Sequence, residues 1–232
     1  MPGLEDLDSL LLEEVQKRFP LTGVTLKHPL PERPFRMLGL VHIDGNIFTS
    51  EKFARVLFLK TTAAFVRGVR SIFLNPRPDL DLPVFSSELI LKGDKRLMLL
   101  DIHRMGDASR HDDTGLYRRV DSILNTYPDL FSTPKPLRGE INRIFSPAVR
   151  YVELSRDQDE QALRCYREYL DLYLTMVENA LPLTGDDLDT ARKNFEAYMN
   201  TIADFDPGVK VYQMFFGKKG GLERALDMFF GR

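Results

Sequence analysis

The spacing of apolar positions divides the chain into a strand-rich part and a helix-rich part. Residues 36–103 are rich in β-branched and aromatic side chains, which favours strands, although part of residues 51–76 also fits a helical face. Residues 157–181, 186–205 and 206–232 repeat apolar positions at helical spacing. Early strands in hairpins, followed by helices, predict an α+β sandwich with a largely antiparallel sheet.

Turn-forming residues indicate where these elements end. Asp44-Gly45-Asn46 predicts a reverse turn between two apolar runs, and Gly68 predicts a break in the run that follows. The prolines in residues 27–35 favour extended backbone after an N-terminal amphipathic helix. Residues 141–154 predict another extended run, and Gly220-Gly221 predicts the break between two short C-terminal helices.

One hairpin is specified more fully than the others. Val84 to Leu91 and Arg96 to His103 flank Lys92-Gly93-Asp94-Lys95. The central Gly-Asp suits a two-residue turn with positive φ at the glycine. This turn fixes the register, so that Glu88 lies opposite Leu99.

Glu88 is the unexpected residue of this hairpin, because it places a carboxyl in an apolar strand. Side chains alternate along a strand, so Ser86 and Glu88 share one face, near Asp101 and His103 of the partner strand, and Phe85 lies on the other face. A carboxyl held in an apolar setting either finds a partner or keeps its proton. A carboxyl that is protonated near neutral pH can act as a general acid.

A structural role would also explain each of these acidic residues. Glu88 would lie on a solvated face or form an ion pair with Arg96 or Arg150. Asp101 would form a hydrogen-bonded pair with its neighbouring histidine. Asp206, which precedes a proline at a helix boundary, would belong to an ordinary turn.

Composition narrows the class of protein. The chain has 232 residues, 43% of them hydrophobic, which predicts one domain over residues 1–232. With 32 basic and 34 acidic side chains, it lacks the basic surplus of a nucleic-acid-binding protein. The single cysteine, Cys165, excludes an internal disulfide and agrees with a reducing compartment, so we expect the cytoplasm. No run approaches the ~18 to 20 apolar residues of a membrane span, and the acidic N-terminal stretch lacks the features of a signal or transit peptide.

The sequence carries no motif for a metal or an organic cofactor. Its four histidines, His28, His42, His103 and His111, lack metal-ligand spacing such as HExxH. Residues 217–221, GKKGG, lack the spacing and the following Ser or Thr of a phosphate-binding loop. We therefore expect neither a bound metal nor a bound nicotinamide or flavin.

Four segments of the chain resemble the ferredoxin-dependent bilin reductases and their relatives, the red chlorophyll catabolite reductases. They are LDLPVFSSELIL, KRLMLLDIH, DFDPGVKVYQMFFGKKGG and LERALDMFFGR. The family pattern is Leu-Pro-x-Phe, a polar pair, an acid and an apolar strand, then a second strand that ends in Asp. Asp-Pro, Phe-Phe-Gly and a final apolar helix follow near the C-terminus. The resemblance covers most of the chain from about Phe35 onward.

The resemblance implies a fold, a reaction and the residues that carry it. The fold is an α/β/α sandwich, in which helices flank both faces of a central antiparallel sheet. The reaction is a radical reduction of a linear tetrapyrrole without organic cofactor or metal, in which ferredoxin delivers single electrons and acidic side chains donate protons. Glu88 falls where bilin reductases usually place a catalytic Asp and where the chlorophyll catabolite reductases have Glu, and Asp206 matches a second proton donor. Ser71 falls where bilin reductases carry His or Asn, and Ser86 replaces the usual Gly.

The resemblance also implies partners. The substrate would be biliverdin or a derivative, reduced to a phytobilin, with heme oxygenase as the upstream supplier. The candidate substrate-binding residues are Ser71, Phe85, Ser86, Asp101, Arg67, Arg143 and Arg150, of which the arginines suit the propionates. Since ferredoxins are acidic, docking would use a local basic patch, for which the candidates are Lys92, Lys95, Arg96, Lys218 and Lys219.

Three other functions are compatible with the sequence. Reduction of a red chlorophyll catabolite is favoured by Glu88 and disfavoured by the lack of a transit peptide. A non-catalytic bilin carrier is favoured by the departures at Ser71 and Ser86 and disfavoured by the presence of both acids. An unrelated α+β interaction domain would leave Glu88 exposed to solvent.

Overall fold

A seven-stranded antiparallel sheet forms the centre of the fold. The structure is a computed structural model and describes residues 4–30, 41–63, 66–105, 115–137 and 139–232. The strands are β1 (Thr22–Gly23), β2 (Val41–Thr49), β3 (Phe53–Ala63), β4 (Val66–Pro76), β5 (Val84–Lys92), β6 (Lys95–His103) and β7 (Arg150–Ser155). Each strand pairs with the next one along the chain, so β4 is the middle strand and β5 lies beside it.

In the described residues, six α-helices cover the two faces of this sheet. They are α1 (Leu7–Arg18), α2 (Leu116–Leu124), α3 (Asp159–Asn179), α4 (Gly185–Phe205), α5 (Pro207–Phe216) and α6 (Lys218–Phe230). Apolar side chains of α1, α2 and α3 form one core with the sheet, and those of α4, α5 and α6 form a second core on the other face. The predicted α/β/α sandwich is confirmed. None of these helices is long and apolar enough to cross a membrane.

The alternation of side chains gives each middle strand two buried faces. In β4, Ile72 and Leu74 enter the core with α1 to α3, whereas Phe73 enters the core with α4 to α6. Phe85 and Val84 of β5 divide in the same way. A slip of one residue would exchange the two sets, so burial on both faces fixes the register.

The predicted hairpin of β5 and β6 is confirmed together with its register. Lys92 pairs with Lys95 around a turn in which Gly93 has a φ of +59°. Glu88 lies opposite Leu99, as predicted. The turn therefore decides which face of the sheet receives the carboxyl.

Two predicted breaks in the first strands are wrong. Asp44-Gly45-Asn46 makes no turn but continues β2, where Gly45 lies opposite Leu59 of β3. A Cβ on Gly45 would lie 2.8 Å from Leu59 Cδ2, so this glycine gives room to a core side chain. Gly68 lies inside β4, and because residues 53–63 and 66–76 are strands, the helical alternative is wrong as well.

Two predicted extended segments differ in outcome. Of residues 141–154, only the part from Arg150 onward is a strand, because a 3-10 helix (Glu140–Arg143) occupies the beginning. The proline-rich residues 27–35 lie partly outside the described residues, and His111 lies wholly outside them. That residues 1–232 form one domain stays a prediction.

The last two helices separate three residues earlier than predicted. The break falls at Gly217, which has a φ of +81°, and Gly220-Gly221 lies within α6. Gly221 lies against the main chain of Tyr212 and Gln213 in α5, where any Cβ would overlap. The second glycine therefore allows two helices to approach closely instead of ending one.

Replacing Gly221 with Ala should loosen the contact between α5 and α6. The added methyl group meets main-chain atoms, which cannot rotate away, and overpacking of this kind costs about 3 kcal/mol. Alanine recovers about 1 kcal/mol through its higher helix propensity. Urea denaturation should therefore show a net loss of about 2 kcal/mol in the free energy of unfolding.

Gly220→Ala is the matched control for this substitution. Its Cβ would lie 3.2 Å from the flexible end of Arg224, so the variant should be at least as stable as the parent. Equal stabilities of the Gly221→Ala and Gly220→Ala variants would contradict the close-packing explanation.

Candidate active site

Glu88 lies on the sheet face that α4, α5 and α6 cover. It pairs with Ser71 of β4 on one side and with Leu99 of β6 on the other, so three strands fix its position. Ser71 Oγ donates a hydrogen bond of 3.4 Å to Glu88 Oε1. The Ser71 hydroxyl is thus in contact with the carboxyl.

The described helices leave part of this sheet face open. Glu88 is exposed and its neighbours on the same face are part-exposed, although they belong to a sheet covered on both sides. These neighbours are Val69, Ser71, Ser86, Ile90, Leu97 and Leu99. We refer to the opening over these side chains as the cleft. Its floor is mostly apolar with a carboxyl among the apolar side chains, which suits an apolar ligand with few polar groups.

The surroundings of Glu88 raise its pKa from 4.5 to about 7. The largest cause is desolvation by the surrounding protein, and the second is the negative charge of Asp206, while the hydrogen bond from Ser71 acts in the opposite direction. Water still reaches the carboxyl through the cleft, and a ligand that displaced this water would disfavour the charged form further. Near neutral pH the carboxyl is divided between protonated and ionised forms, which suits a general acid.

Asp206 lies at the junction of α4 and α5 and caps α5. Its Oδ1 accepts a hydrogen bond of 3.0 Å from the main-chain N–H of Val209, and Pro207 occupies the first helical position. The ordinary role of Asp-Pro at a helix start is therefore present. Desolvation nevertheless raises the pKa of Asp206, although the helix N–H groups and a nearby lysine act to lower it. The cap holds this carboxyl close enough to Glu88 for the two negative charges to oppose each other.

Tyr212 of α5 is a site residue that sequence analysis missed. It is buried, and after desolvation the charges of Glu88 and Asp206 are the causes that raise its pKa. The phenol therefore lies near both carboxyls. Its spacing from Val209 and Phe215 is that of an ordinary apolar helix face, so no signal in the sequence distinguishes it.

Two further buried polar side chains, Asp101 and His103, lie on the same face near the end of β6. Asp101 accepts hydrogen bonds from the main-chain N–H of Ser146, at 2.9 Å, and from its hydroxyl. His103 Nδ1 lies 2.7 Å from Tyr198 Oη. Burial raises the pKa of Asp101 to about 7 and lowers the pKa of His103 to about 3. The predicted contact of Asp101 with substrate is wrong, because its carboxyl is fully buried and anchors the segment before β7 instead.

Two predicted substrate-binding residues lie on the opposite face of the sheet. Phe85 packs against Tyr169 of α3, with ring centroids 5.8 Å apart, and Arg150 forms an ion pair of 2.8 Å with Asp121. The prediction that they line a site with Glu88 is wrong, because neighbouring positions of a strand face opposite ways. The same ion pair excludes Arg150 as the structural partner of Glu88.

Ser86 and Arg143 lie on the cleft side of the sheet. Ser86 is part of the cleft floor. Arg143 is exposed, and its guanidinium lies 6.0 Å from the ring centroid of Phe205, the residue before Asp206. Arg143 therefore lies near the C-terminal end of α4, which Asp206 directly follows. The side chain of Arg67 lies outside the described residues.

The predicted basic patch is not one surface. Arg96 is buried and forms two hydrogen bonds of 3.0 Å with Asp159, so its inclusion was wrong. Lys95 forms an ion pair of 2.8 Å with Glu153. The remaining exposed members are Lys92, Lys218 and Lys219, of which Lys219 lies 3.8 Å from Glu223.

The other candidate features of the described residues do not lie beside Glu88. Within the part of the chain that the structure describes, no group of three His, Cys, Asp or Glu side chains is placed to hold a metal ion. A groove of about 900 Å³ lies against α1, α2 and α3, with Arg18, Arg119 and Asp171 among its lining residues. The sheet separates this groove from the carboxyls.

Fold and site together define a class of protein. It is an α/β/α sandwich with an apolar cleft between its sheet and its C-terminal helices, in which two carboxyls have raised pKa values. Perturbed carboxyls in a concave apolar site suit proton transfer to a bound ligand.

Comparison with known proteins identifies the family. The model of the ferredoxin-dependent bilin reductases matches residues 9–223. The chain therefore belongs to the ferredoxin-dependent bilin reductase family, which confirms the resemblance found in the sequence.

Individual relatives agree with this assignment. The chain is 23% identical to a phycoerythrobilin:ferredoxin oxidoreductase of Synechococcus sp. (strain WH8020), over 73% of this chain and 68% of that protein. It is 24% identical to the protein of the same name from Parasynechococcus marenigrum (strain WH8102), over 74% and 68%. The fold matches tomato phytochromobilin synthase in complex with biliverdin with a TM-score of 0.81, at 18% identity, over 98% of this chain and 82% of that chain.

Asp206→Asn should lower the pKa of Glu88, because it removes the opposing charge, and Ser71→Ala should raise it, because it removes the hydrogen bond that stabilises the ionised form. Carboxyl-carbon NMR titration of the purified variants would measure both shifts. Asp204→Asn is the control, since it removes the same charge from an exposed side chain two residues away. If Asp206→Asn and Asp204→Asn gave the same pKa for Glu88, the coupling of the two carboxyls would be refuted.

Glu88→Gln should change how stability depends on pH. The pKa of Glu88 in the folded chain, about 7, lies above its ordinary value of 4.5. Its contribution to stability is therefore fully present below pH 4.5 and is lost as the pH rises through about 7. The glutamine variant lacks this loss, so its free energy of unfolding relative to the parent should rise across this window and level off above it. A constant difference between the two proteins from pH 4.5 to 8 would contradict the raised pKa.

Proposed function

We propose that this chain reduces a linear tetrapyrrole of the biliverdin type, bound in the cleft, with electrons from ferredoxin and protons from Glu88 and Asp206. The observation that carries the proposal is the pair of opposed carboxyls, one on the sheet and one at the cap of α5. Family membership supports the reaction class, and the biliverdin complex of the tomato protein supports the kind of ligand.

The reaction requires two electrons and two protons for each double bond. Two reduced ferredoxins each give up one electron, the C=C bond becomes a single bond, and two new bonds to hydrogen form. Glu88 donates the first proton, which makes the bilin a cation, and the first electron then yields a neutral radical. Asp206 donates a proton with the second electron, and water returns protons to both carboxylates.

Protonation before electron transfer follows from the surroundings of the cleft. An electron added to a neutral bilin on an apolar floor would leave an uncompensated negative charge, which is costly to bury. A proton from Glu88 removes that charge in advance, as electrostatic stabilisation requires. Its pKa of about 7 keeps a substantial fraction protonated at neutral pH.

The coupling of the two carboxyls supports their order of use. The negative charge of Asp206 favours the protonated form of Glu88, so Glu88 is the first donor. Once Glu88 is ionised, repulsion between the two carboxylates favours uptake of a proton from water, and Asp206 passes a proton to the bilin with the second electron. Placement at the cap of α5 holds this second donor in a fixed position.

The remaining parts of the proposal concern the chain's surroundings. Because ferredoxin supplies electrons and the carboxyls supply protons, the scheme needs no resident metal or organic cofactor. Cys165 is a buried free thiol, which supports a reducing compartment such as the cytoplasm. Heme oxygenase chemistry, which opens a haem ring, would supply the substrate.

Glu88→Gln should abolish most of the turnover while leaving bilin binding intact. The amide keeps the shape of the side chain but cannot donate an acidic proton, and loss of a general acid typically costs on the order of 10²–10⁴ in rate. The assay is an anaerobic absorbance time course with biliverdin, reduced ferredoxin and a regenerating system, followed by chromatography of the pigment. Turnover at the parent rate would remove Glu88 from the mechanism.

Asp206→Asn should stop the reaction at a later stage. The first proton and electron still reach the bilin, so an organic radical should accumulate and be visible by electron paramagnetic resonance. Asp204→Asn, the control that removes the same charge nearby, should turn over like the parent. An Asp206→Asn variant that forms full product without accumulating a radical would contradict the second assignment.

A further inference from the structure

The outer face of α5 is unusual among the described surfaces. Four large apolar side chains are substantially exposed in the described residues, and three of them, Phe205, Val211 and Met214, fall within ten consecutive residues. Val211 is 44% and Met214 is 58% exposed. Val211 and Met214 are three residues apart on one helix, so they lie side by side on its surface.

Basic side chains border this apolar surface. Lys210 lies beside Val211, and Lys218 and Lys219 are exposed at the start of α6, directly after the turn at Gly217. Residues 207–232 carry five basic and two acidic side chains, whereas residues 185–205 of α4 carry two basic and five acidic ones. Of the two acids, Asp227 is buried, and Glu223 forms a long ion pair of 3.8 Å with Lys219, whose side chain stays 89% exposed. The surface of α5 and the start of α6 is therefore locally positive on a chain with a net charge of −2.

The inner face of the same helix borders the two carboxyls. Val209, Tyr212 and Phe215 of α5 are buried against the sheet layer, Asp206 caps the helix, and both carboxyl charges act on Tyr212. A helix with its side chains is about 10–12 Å thick. A protein bound to the outer face would thus be separated from the cleft by little more than one helix.

We propose that ferredoxin docks on the outer face of α5, with Val211 and Met214 as the apolar centre and Lys210, Lys218 and Lys219 as the basic rim. This inference rests on the proposed function and adds the place at which the electron donor binds. An acidic protein is attracted by the lysines, which raises the rate of encounter, while the apolar centre contributes the desolvated contact. The short path through α5 matters because electron transfer slows steeply with distance.

The alternative basic surface at the β5–β6 turn suits this role less well. Of its members, Arg96 is buried against Asp159 and Lys95 is paired with Glu153, which leaves Lys92. None of the large apolar side chains found exposed in the described residues belongs to this turn. A substitution at Lys92 therefore distinguishes the two surfaces.

The test measures the KM for reduced ferredoxin by steady-state kinetics in variants that place acidic side chains on the proposed surface. Lys218→Glu/Lys219→Glu and Met214→Glu should each raise the KM for ferredoxin, by about 10-fold or more at low salt, and the double lysine variant should weaken its dependence on ionic strength. The same variants should bind bilin with the parent spectrum. With viologen radical as a small reductant that needs no docking surface, they should reduce bilin at the parent rate.

Matched controls separate docking from other effects. Lys193→Glu places the same charge reversal on the exposed surface of α4 and should leave the KM for ferredoxin unchanged, and Lys92→Glu tests the alternative surface. The proposal is overturned if Lys92→Glu raises the KM and the Met214→Glu and double lysine variants do not, or if these two variants lose viologen-driven turnover as well. A parent protein that reduces no bilin with either reductant would instead refute the proposed function, so the two failures are distinguishable.

Discussion

The arrangement of this molecule depends on two like-charged carboxyls held against each other between a sheet and a helix. Glu88 is fixed by pairing on both sides of β5, and Asp206 is fixed by the first turn of α5. Desolvation disfavours the charged form of both carboxyls, and the charge of Asp206 disfavours the charged form of Glu88 further. The fold therefore raises the pKa of both carboxyls, which favours the protonated form that proton donation requires.

The two faces of the sheet have different roles. The face covered by α1, α2 and α3 is packed with fully buried side chains such as Phe85 and Tyr173 and supplies stability. The face covered by α4, α5 and α6 is incompletely closed, which leaves an apolar floor around Glu88. Since side chains alternate along each strand, β5 serves both purposes: its odd-numbered residues pack in the core, whereas Ser86, Glu88 and Ile90 line the cleft. Gly221 brings α6 against α5 and so supports the helix that carries Asp206.

Local patterns in the sequence were sufficient for the parts of the site that lie on one hairpin. The Gly-Asp turn specified the register around Glu88, and alternation specified which neighbours share its face. The same alternation placed Phe85 on the far face, and the family resemblance alone had suggested it as a ligand contact. Glycines were harder to interpret, because Gly45 gives room to the side chain of Leu59 and Gly221 to the main chain of α5. In the sequence, a glycine that allows such close approach looks the same as a glycine that forms a turn. Tyr212 and the Asp101–Ser146 hydrogen bonds depend on how distant elements pack, which no local spacing encodes.

The central claim is that Glu88 protonates the bound bilin before any electron arrives. The most direct measurement is an anaerobic pH titration of the absorbance of biliverdin bound to the parent and to Glu88→Gln, without ferredoxin. The account predicts a band of the protonated bilin in the parent that disappears as the pH rises above about 7, where Glu88 and the bilin together lose the proton, and that is absent from the glutamine variant across the range. A bound spectrum that is the same in both proteins at every pH would contradict it.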